Sequence, residues 1–373
     1  MNKIYLFILF MFIFLFLFKK SISENFTSYY KCSGKNNKPY FSKVLKNTLK
    51  SNKIRYSKLK DSILFLPCNY TTVENEIKKY SFDKNQILFA INGCDNIVSK
   101  ANLWSIILSK YGRRKASKIM PESFLTDSEI ESFKKRYKKN KLYILKNKLQ
   151  RKQGLYLTDD YNFIINSKNQ GYTVIQDYIT DVFLINKRKL NIRIYIVILC
   201  YKNIFSCYIY NDGKCIYTNN DYDYNSKDLH SHITSLDLNL DIYEKNPLTL
   251  KDLQIYMSNN NIDYNKLWNN IIKNIKKSTL AFKNKLYTDE KLKNNLSFQI
   301  FGPDIIVDKK LNTFIVEINK GPSMQSILLK DTELKNNLYL DTFKLVHHFC
   351  KINKINRLFS KLNGNHNNFI KIY

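Results

Sequence analysis

The most informative part of the sequence is residues 298–319, FQIFGPDIIVDKKLNTFIVEIN. Both of its halves are apolar, and residues 309–312 between them suit a four-residue turn, so the pattern predicts a β-hairpin. If Asp308 faces Thr313, then Asp304 faces Glu317. Two like charges directly opposite each other destabilise a hairpin unless something compensates them. The hairpin therefore predicts a bound cation.

The side chains on one face of this hairpin predict a magnesium site. Side chains alternate along a strand, so Asn319 shares a face with Glu317 and Asp304. Hard oxygen ligands suit Mg²⁺, which usually keeps several waters and bridges substrate phosphates. The alternative is a solvated sheet face on which the two carboxylates splay apart. The flanking apolar residues favour the metal, because they would make an idle Glu costly.

A basic strand at residues 187–195 predicts an anion site. Lys189, Asn191 and Arg193 fall on one face, and the apolar residues between them fall on the other. Phosphate or carboxylate would suit this face, with Arg193 as a two-pronged donor and Lys189 as a point charge. The alternative is an ordinary basic edge strand.

Two further segments give weaker signals. A strand at residues 142–146 ends in Lys146 and is followed by a basic loop with one glycine, Gly154, which is a weak indication of a phosphate-binding loop. Residues 174–179 form an apolar strand that runs into a polar connection. Alone, this segment indicates only a strand and a hinge.

The rest of the chain predicts an α+β protein with mostly antiparallel sheets. Further strands are predicted at 62–66, 87–91, 173–176, 192–199 and 206–210, and helices at 100–111, from Thr126 as the N-cap to about 139, and at 264–283. The polar residues 221–265 are predicted to form a surface excursion. The predicted units are residues 1–23, a hydrophobic segment; 24–130, a smaller α/β domain; 131–349, divided at about 200; and 350–373, a basic tail.

Composition limits the class of protein. The 373 residues are 44% hydrophobic and 14% aromatic, which excludes a disordered chain. The net charge of +30 favours acidic partners, although a coding bias toward Lys and Asn accounts for much of it. No nucleic-acid partner is expected, because no segment interleaves aromatics with a compact basic patch. Seven scattered cysteines without a Cys-x-x-Cys pair argue against a disulfide framework.

An apolar run from Ile4 to Phe18 stands between Lys3 and the pair Lys19-Lys20. Its fifteen residues are short for a membrane span and suit a signal segment or a short anchor. The excess of basic residues after the run predicts an uncleaved anchor that leaves the chain on the cytoplasmic face of a membrane. Secretory routing is the alternative.

Taken together, the segments resemble the tubulin-tyrosine-ligase-like family of ATP-grasp ligases, from about Leu88 to Met324 or Phe349. The resemblance rests on the order and spacing of several motifs. These are Lys146, Gln176-Asp-Tyr-Ile179 as the adenine hinge, Arg188-Lys-Leu-Asn-Ile-Arg-Ile-Tyr195, His232-Ile-Thr-Ser235, and Asp304 with Glu317 and Asn319 followed by Gly321-Pro-Ser323.

The resemblance implies an ATP-grasp architecture, two mostly antiparallel sheets clasping ATP, and a reaction that joins an amino acid to a protein carboxylate. The implied ATP contacts are Lys146, Lys152, Gln153, Gly154, Gln176, Asp177, Tyr178, Ile179, Lys189 and Asn191. The implied catalytic residues are Arg193 and Lys189, the substrate contacts Arg193, Thr234 and Ser235, and the magnesium ligands Asp304, Glu317 and Asn319. The implied partners are a free amino acid (glutamate, tyrosine or glycine) and tubulin or another acidic protein tail, and the implied location is cytoplasmic and microtubule-associated.

Several positions depart from the family pattern. Asn191 stands where the family places an acid, Ser235 where it has Asn, and Asn211 where it often has Arg. The phosphate loop carries one glycine where the family usually has two. These departures support an alternative, a degenerate scaffold that binds nucleotide or an acidic partner without ligation.

Overall fold

The computed structural model describes residues 28–31, 42–147, 154–226, 228–234, 236–326, 328–355 and 368–373. The strands are β1 Ser28–Lys31, β2 Arg55–Tyr56, β3 Leu64–Leu66, β4 Ile87–Leu88, β5 Ser123–Leu125, β6 Tyr143–Asn147, β7 Leu155–Thr158, β8 Tyr172–Asp177, β9 Leu184–Ile185, β10 Arg188–Tyr201, β11 Ile204–Tyr217, β12 Ser297–Val307, β13 Thr313–Asn319 and β14 Phe369–Lys371. The helices are α1 Lys43–Ser51, α2 Val73–Lys79, α3 Asp95–Val98, α4 Lys100–Tyr111, α5 Arg113–Ala116, α6 Ile130–Lys134, α7 Tyr161–Ile165, α8 Leu229–His232, α9 Leu250–Asn259, α10 Tyr264–Phe282 and α11 Leu329–Ile352. Short 3₁₀ helices occupy Leu59–Asp61, Tyr70–Thr72, Ser167–Gln170, Leu240–Glu244, Lys283–Lys285 and Glu290–Leu292. The predicted mixture of helices with two sheets is confirmed.

The larger sheet has the strand order β14-β11-β10-β12-β4-β3-β1-β2, with β13 beside β12 and β9 beside β10. Strands β9 to β14 pair antiparallel, and β1 to β4 pair parallel. The parallel strands join the rest through a single pairing of Leu88 with Ser297. The sheet therefore continues across residue 130, and the boundaries of the predicted units stay predictions.

The smaller sheet is antiparallel throughout, with the order β5-β8-β6-β7. Its central strands are β6, which ends at Asn147 just after Lys146, and β8, which ends at Asp177. It therefore carries the two segments that gave the weaker signals in the sequence.

Strand β10 is buried on both faces over its second half, and its sequence shows why. Ile194, Ile196 and Ile198 pack into the core that includes α9 and α10. The alternate residues Tyr195 and Val197 pack into the core that includes α11. A strand covered on both faces needs an apolar side chain at every position. The first half of β10 instead carries charged residues on the face toward α11, and the candidate site lies there.

The hairpin of residues 298–319 forms as predicted, but its register near the turn differs by one residue. Thr313 pairs with Val307 rather than with Asp308. A β-bulge between Asp304 and Ile305 then shifts the register back, so that Asp304 does pair with Glu317. The Asp308 carboxylate instead accepts hydrogen bonds from the turn amides of Lys310 and Asn312.

Two helix predictions need correction. Residues 221–265 are more than a surface excursion, because they contain α9, which a capping box of Thr249 and Asp252 starts and whose Leu253 is fully buried. The helix predicted from Thr126 to about residue 139 is only Ile130–Lys134. Thr126 is not its cap, since its hydroxyl donates to the carbonyl of Tyr172.

Six cysteines fall within the described residues, and most of them are free thiols. Cys94, Cys200, Cys207, Cys215 and Cys350 are free and buried, whereas Cys68 is disulfide-bonded.

Within the described ranges, no helix has the length and apolarity needed to cross a bilayer. The apolar run at residues 4–18 lies outside the described residues, so its predicted role as an anchor stays a prediction.

The end of the predicted basic tail is built into the larger sheet. Strand β14 pairs with β11, where Phe369 faces Tyr210 with 5.0 Å between ring centroids. Phe369 is 8% exposed, and its neighbour Ile370 is 36% exposed. Residues 369–371 therefore form an edge strand that packs against the core.

Phe369→Ala is expected to lower the free energy of unfolding by about 3 kcal/mol, because it removes a large buried side chain. Ile370→Ala, the matched control on the same strand, is expected to cost less than about 1 kcal/mol. Urea denaturation of the full chain measures both. Equal losses for the two variants would contradict the packing of β14.

Candidate functional site

Four charged side chains form a row across the larger sheet. The register places Lys214 opposite Arg193, Arg193 opposite Asp304, and Asp304 opposite Glu317. Residues directly opposite each other share a face, with Cβ atoms about 5 Å apart. The row passes from two cations on β11 and β10 to two carboxylates on β12 and β13. One sheet face therefore carries a positive half beside a negative half.

The centre of the row is a two-pronged ion pair. Arg193 Nε donates to Asp304 Oδ1, and Arg193 Nη2 donates to Asp304 Oδ2 at 2.8 Å. Burial would lower the pKa of Arg193, but the attraction of Asp304 outweighs it and raises the pKa above its usual value. The guanidinium is therefore already engaged by a carboxylate. Its predicted role in holding a substrate anion stays a prediction.

Three oxygen-bearing side chains converge at the negative end of the row, as predicted. Asn319 Nδ2 lies 3.5 Å from Asp304 Oδ2 and 3.4 Å from Glu317 Oε1. A half-turn of the amide would present its oxygen to the same point. Burial raises the pKa of Asp304 and Glu317 adds to the rise, while Arg193 opposes it. A divalent cation between the two carboxylates would relieve this repulsion.

The side chain of Asn191 bears on whether a metal ion fits between Asp304, Glu317 and Asn319. It lies two residues before Arg193 on the same face of β10, and its Oδ1 is buried without a hydrogen-bond partner among the described residues. A buried acceptor without a donor costs about 1–3 kcal/mol. A hydrated cation would supply donors to that oxygen. Asn191 lies opposite Ile306, two residues from the Arg193–Asp304 pair, and the donor set of Asp304, Glu317 and Asn319 itself fits Mg²⁺.

Lys189 is held by a chain of hydrogen bonds. Its Nζ donates to the Tyr178 hydroxyl and to the His232 carbonyl oxygen, both at 3.0 Å. The Tyr178 hydroxyl lies 2.8 Å from His232 Nδ1, and His232 Nε2 lies 2.7 Å from the Ser226 carbonyl oxygen. A carbonyl can only accept, so Nε2 carries the ring proton and Tyr178 donates to Nδ1. Burial lowers the pKa of His232, which agrees with a neutral ring.

Lys189 on the larger sheet and Lys146 on the smaller sheet are both buried, and their charges interact. Burial lowers the pKa of Lys189 to about 7, and the charge of Lys146 adds to the effect. Burial lowers the pKa of Lys146 to about 8, although Glu317 opposes the shift. Within the described part of the chain, neither ammonium forms an ion pair. An anion such as phosphate would supply the missing negative charge.

The predicted adenine hinge lies at the end of β8. Gln176 Nε2 donates to Ser123 Oγ at 2.7 Å, so this amide helps to join β8 to β5. Asp177 forms a 2.6 Å ion pair with Lys141. The Tyr178 hydroxyl is hydrogen-bonded to Lys189 and His232, and Ile179 is half-buried. The predicted hinge is thus hydrogen-bonded to Lys189 through Tyr178.

The predicted phosphate loop is described only at its end. Gly154 has φ +71°, and a Cβ there would collide with the side chain of Asn147. Lys152 and Gln153 lie outside the described residues. Of the predicted substrate contacts, Thr234 is buried and pairs with Thr218 in an isolated antiparallel β-bridge. Ser235 lies outside the described residues.

Comparison with known sequences identifies the family of this chain. The profile described as the tubulin-tyrosine ligase family matches residues 77–355. The chain belongs to this family. The match includes both sheets except for β1 to β3 and β14, and it includes every residue of the charged row.

Several curated tubulin polyglutamylases are similar to this chain over part of their length. A probable beta-tubulin polyglutamylase from Tetrahymena thermophila is 28% identical over 266 residues, which are 63% of this chain and 22% of that protein. The tubulin polyglutamylase TTLL6 of Mus musculus is 24% identical, covering 57% of this chain and 28% of the relative. The tubulin polyglutamylase TTLL5 of Mus musculus is 25% identical, and the match covers 64% of this chain and 19% of the relative. The matched region thus spans about a quarter of the length of these relatives.

Sequence reasoning missed a second buried cluster in this tubulin-tyrosine ligase family member. Lys214 and Lys335 both donate to Asp331 Oδ2, at 2.7 and 2.9 Å. Asp331 and Lys335 lie one helical turn apart, a spacing typical of ordinary surface pairs. Their burial against a strand more than a hundred residues earlier leaves no local pattern in the sequence. The tubulin-tyrosine ligase fold brings this cluster beside Arg193.

Proposed function

We propose that the protein is an ATP- and Mg²⁺-dependent ligase that joins glutamate to the acidic tail of tubulin. One observation carries the proposal: the charge of buried Lys146 interacts both with that of buried Lys189 and with that of Glu317, which pairs with Asp304 at the negative end of the row. This arrangement suits a triphosphate bridged to a divalent cation. Membership of the tubulin-tyrosine ligase family supports the reaction class.

Each residue has a defined part in the proposed reaction. Lys146 and Lys189 neutralise phosphate charge, and Asp304, Glu317 and Asn319 hold Mg²⁺, which when bound neutralises charge that develops on the terminal phosphates. The adenine lies at the hinge of residues 176–179. Catalysis is mainly positioning and electrostatic stabilisation.

The proposed chemistry has two steps. A carboxylate oxygen of the acceptor attacks the γ-phosphorus, and the bond to ADP breaks, which leaves an acylphosphate on the acceptor. The amine of the free amino acid then attacks the acyl carbon, phosphate leaves, and an amide forms.

Glutamate is proposed over tyrosine and glycine because the relatives named above are called polyglutamylases. An acidic acceptor also suits the chain's net charge of +30. Such a substrate would associate the protein with microtubules. The chain matches only part of each of these relatives.

A direct test is transfer of labelled glutamate to synthetic tubulin tail peptides by the full chain. We expect transfer that requires ATP, Mg²⁺ and the peptide together. A peptide whose acceptor glutamates are replaced by glutamine should receive no label. Labelled tyrosine and glycine serve as competing amino acids. Transfer of either in place of glutamate would overturn the proposed amino acid but not the ligase.

The second candidate is a scaffold that binds nucleotide without ligation. Asn191 favours it, since the family places an acid at this position beside the nucleotide. The scaffold predicts that MgATP binds but is not hydrolysed in any combination of peptide and amino acid. The same assay, read as ADP release, separates the two candidates.

A further inference from the structure

The cluster of Lys214, Asp331 and Lys335, called here the amino-acid cluster, has an unusual distribution of hydrogen bonds. Both lysines donate to one carboxylate oxygen, Asp331 Oδ2. The other oxygen, Oδ1, is buried and has no partner among the described residues. A buried carboxylate that accepts three or four hydrogen bonds would be satisfied, and this one uses half its capacity. The cluster therefore has a free buried acceptor.

The same cluster also has one surplus positive charge. Two lysines share one carboxylate, and the side chains of Asp331 and Lys335 are 3% and 2% exposed. Burial lowers the pKa of Lys335 to about 8, although Asp331 opposes the shift. A surplus cation in a buried place is costly unless an anion joins it. The cluster thus lacks one negative group and one hydrogen-bond donor.

The position of the cluster connects it to the proposed reaction. Lys214 lies opposite Arg193, at the positive end of the charged row. Neighbouring strands are about 4.8 Å apart, so Lys214 on β11 is about 10 Å from the strand that carries Asp304. Asp331 lies in the first turn of α11, where the helix dipole favours an anion. A small substrate here would reach the metal end of the row.

An open cavity of about 740 Å³ lies beside the cluster. It is lined by Tyr243, whose ring lies 5.8 Å from Lys214 Nζ, and by Leu328 and Leu329, which precede Asp331 on the chain. Lys214, Asp331 and Lys335 do not line the cavity themselves, and it approaches the cluster through Tyr243 and through Leu329, two residues before Asp331. The cluster and the cavity thus form adjacent polar and partly apolar compartments.

We infer that the amino-acid cluster binds the free amino acid of the ligation reaction, with its α-carboxylate on Lys214 and Lys335 and its amino group donating to Asp331 Oδ1. This inference rests on the proposed function and names the site of its second substrate. An α-amino acid supplies the missing anion and the missing donor on adjacent atoms. Because every amino acid has these two groups, the cluster provides binding, and the adjoining cavity provides selection among side chains.

The test is calorimetric titration of L-glutamate into the full chain with Mg²⁺ and a non-hydrolysable ATP analogue. Glutarate, which has both carboxylates but no amino group, is the second probe. Lys214→Met removes a charge-assisted hydrogen bond to the ligand carboxylate and is expected to lower the affinity for both probes about 10- to 100-fold. Asp331→Asn is expected to lower the affinity for glutamate by a similar factor. The affinity of this variant for glutarate should be equal to that of the wild type or higher.

Lys344→Met is the matched control. Lys344 is on α11, its side chain is 21% exposed against 20% for Lys214, and it too pairs with a carboxylate, Asp341. It lies thirteen residues beyond Asp331, about 20 Å along the helix. We expect wild-type affinity for both probes. Binding of the ATP analogue in every variant reports that the fold is intact.

Each outcome decides between the two proposals. Unchanged glutamate affinity in Lys214→Met and Asp331→Asn would overturn this inference and leave the proposed ligase standing. Equal weakening of glutamate and glutarate in Asp331→Asn would overturn the assignment of the amino group to Oδ1. A wild-type chain that binds the ATP analogue but none of glutamate, glycine and tyrosine would overturn both proposals.

Discussion

Glu317→Gln is expected to lower the rate of glutamate transfer by about 10³-fold while leaving the fold intact. The carboxylate of Glu317 lies next to Asp304 at the negative end of the row and accepts from Asn319. Gln has nearly the same shape and retains an acceptor, so packing should not change. It loses the negative charge that is proposed to hold Mg²⁺, and a bound metal ion contributes several kcal/mol of transition-state stabilisation. About 4 kcal/mol corresponds to a 10³-fold loss.

The measurement is transfer rate against Mg²⁺ concentration, with thermal unfolding of the same sample. Glu333→Gln, at an exposed position on α11, is the control and should keep wild-type activity. Transfer by Glu317→Gln at the wild-type rate and the same Mg²⁺ dependence would remove the metal assignment. The comparison thus separates a lost metal from a general loss of negative charge.

Asp304→Asn should lower activity as strongly but also destabilise the protein. Asp304 is the partner of Arg193, and their side chains are 10% and 16% exposed. Removing one member of a buried pair leaves the other charge uncompensated, at a cost of about 3 kcal/mol. A lower unfolding temperature for Asp304→Asn than for Glu317→Gln is therefore expected. The two carboxylates of the site would then differ in structural importance.

Patterns within one strand were predictable from the sequence. The two-residue alternation put Lys189, Asn191 and Arg193 on one face of β10, because that alternation depends on the strand alone. The facing of Asp304 and Glu317 was also right, but the register at the turn was wrong by one residue. The bulge compensates for that residue. No residue in the hairpin sequence marks the bulge.

Contacts between distant segments were not predictable. Arg193 and Asp304 are 111 residues apart, and Lys214 and Asp331 are 117 apart. Which strands become neighbours depends on the strand order of the whole sheet, and a local pattern cannot encode it. Arg193 was therefore predicted to hold a ligand's phosphate or carboxylate, its pairing with Asp304 was not foreseen, and the amino-acid cluster was missed. Helix α9 was missed because only three of its ten residues are buried.

Binding of MgATP is expected to take up about 1.4 protons per bound nucleotide at pH 8 if Lys146 and Lys189 both become fully protonated. In the free protein, burial lowers the pKa of Lys189 to about 7 and that of Lys146 to about 8. At pH 8, Lys189 is then mostly neutral and Lys146 about half protonated. A bound triphosphate favours the charged form of both lysines and raises both pKa values. Because the complex holds more protons than the free protein, affinity should fall as pH rises from 7 to 9.

Calorimetry of a non-hydrolysable ATP analogue in two buffers of different ionisation enthalpy measures this uptake directly. Lys189→Met should bind about 10- to 100-fold more weakly and take up fewer protons, since it lacks the more strongly shifted lysine. Lys202→Met is the control, because Lys202 is exposed just beyond the far end of β10, about 40 Å away along the strand. If uptake is absent at pH 8, or if affinity does not change between pH 7 and 9, the two lysines do not contact the phosphates. If uptake persists undiminished in Lys189→Met, another group supplies it, and the hydrogen-bonded chain through Tyr178 and His232 then serves the fold rather than the nucleotide.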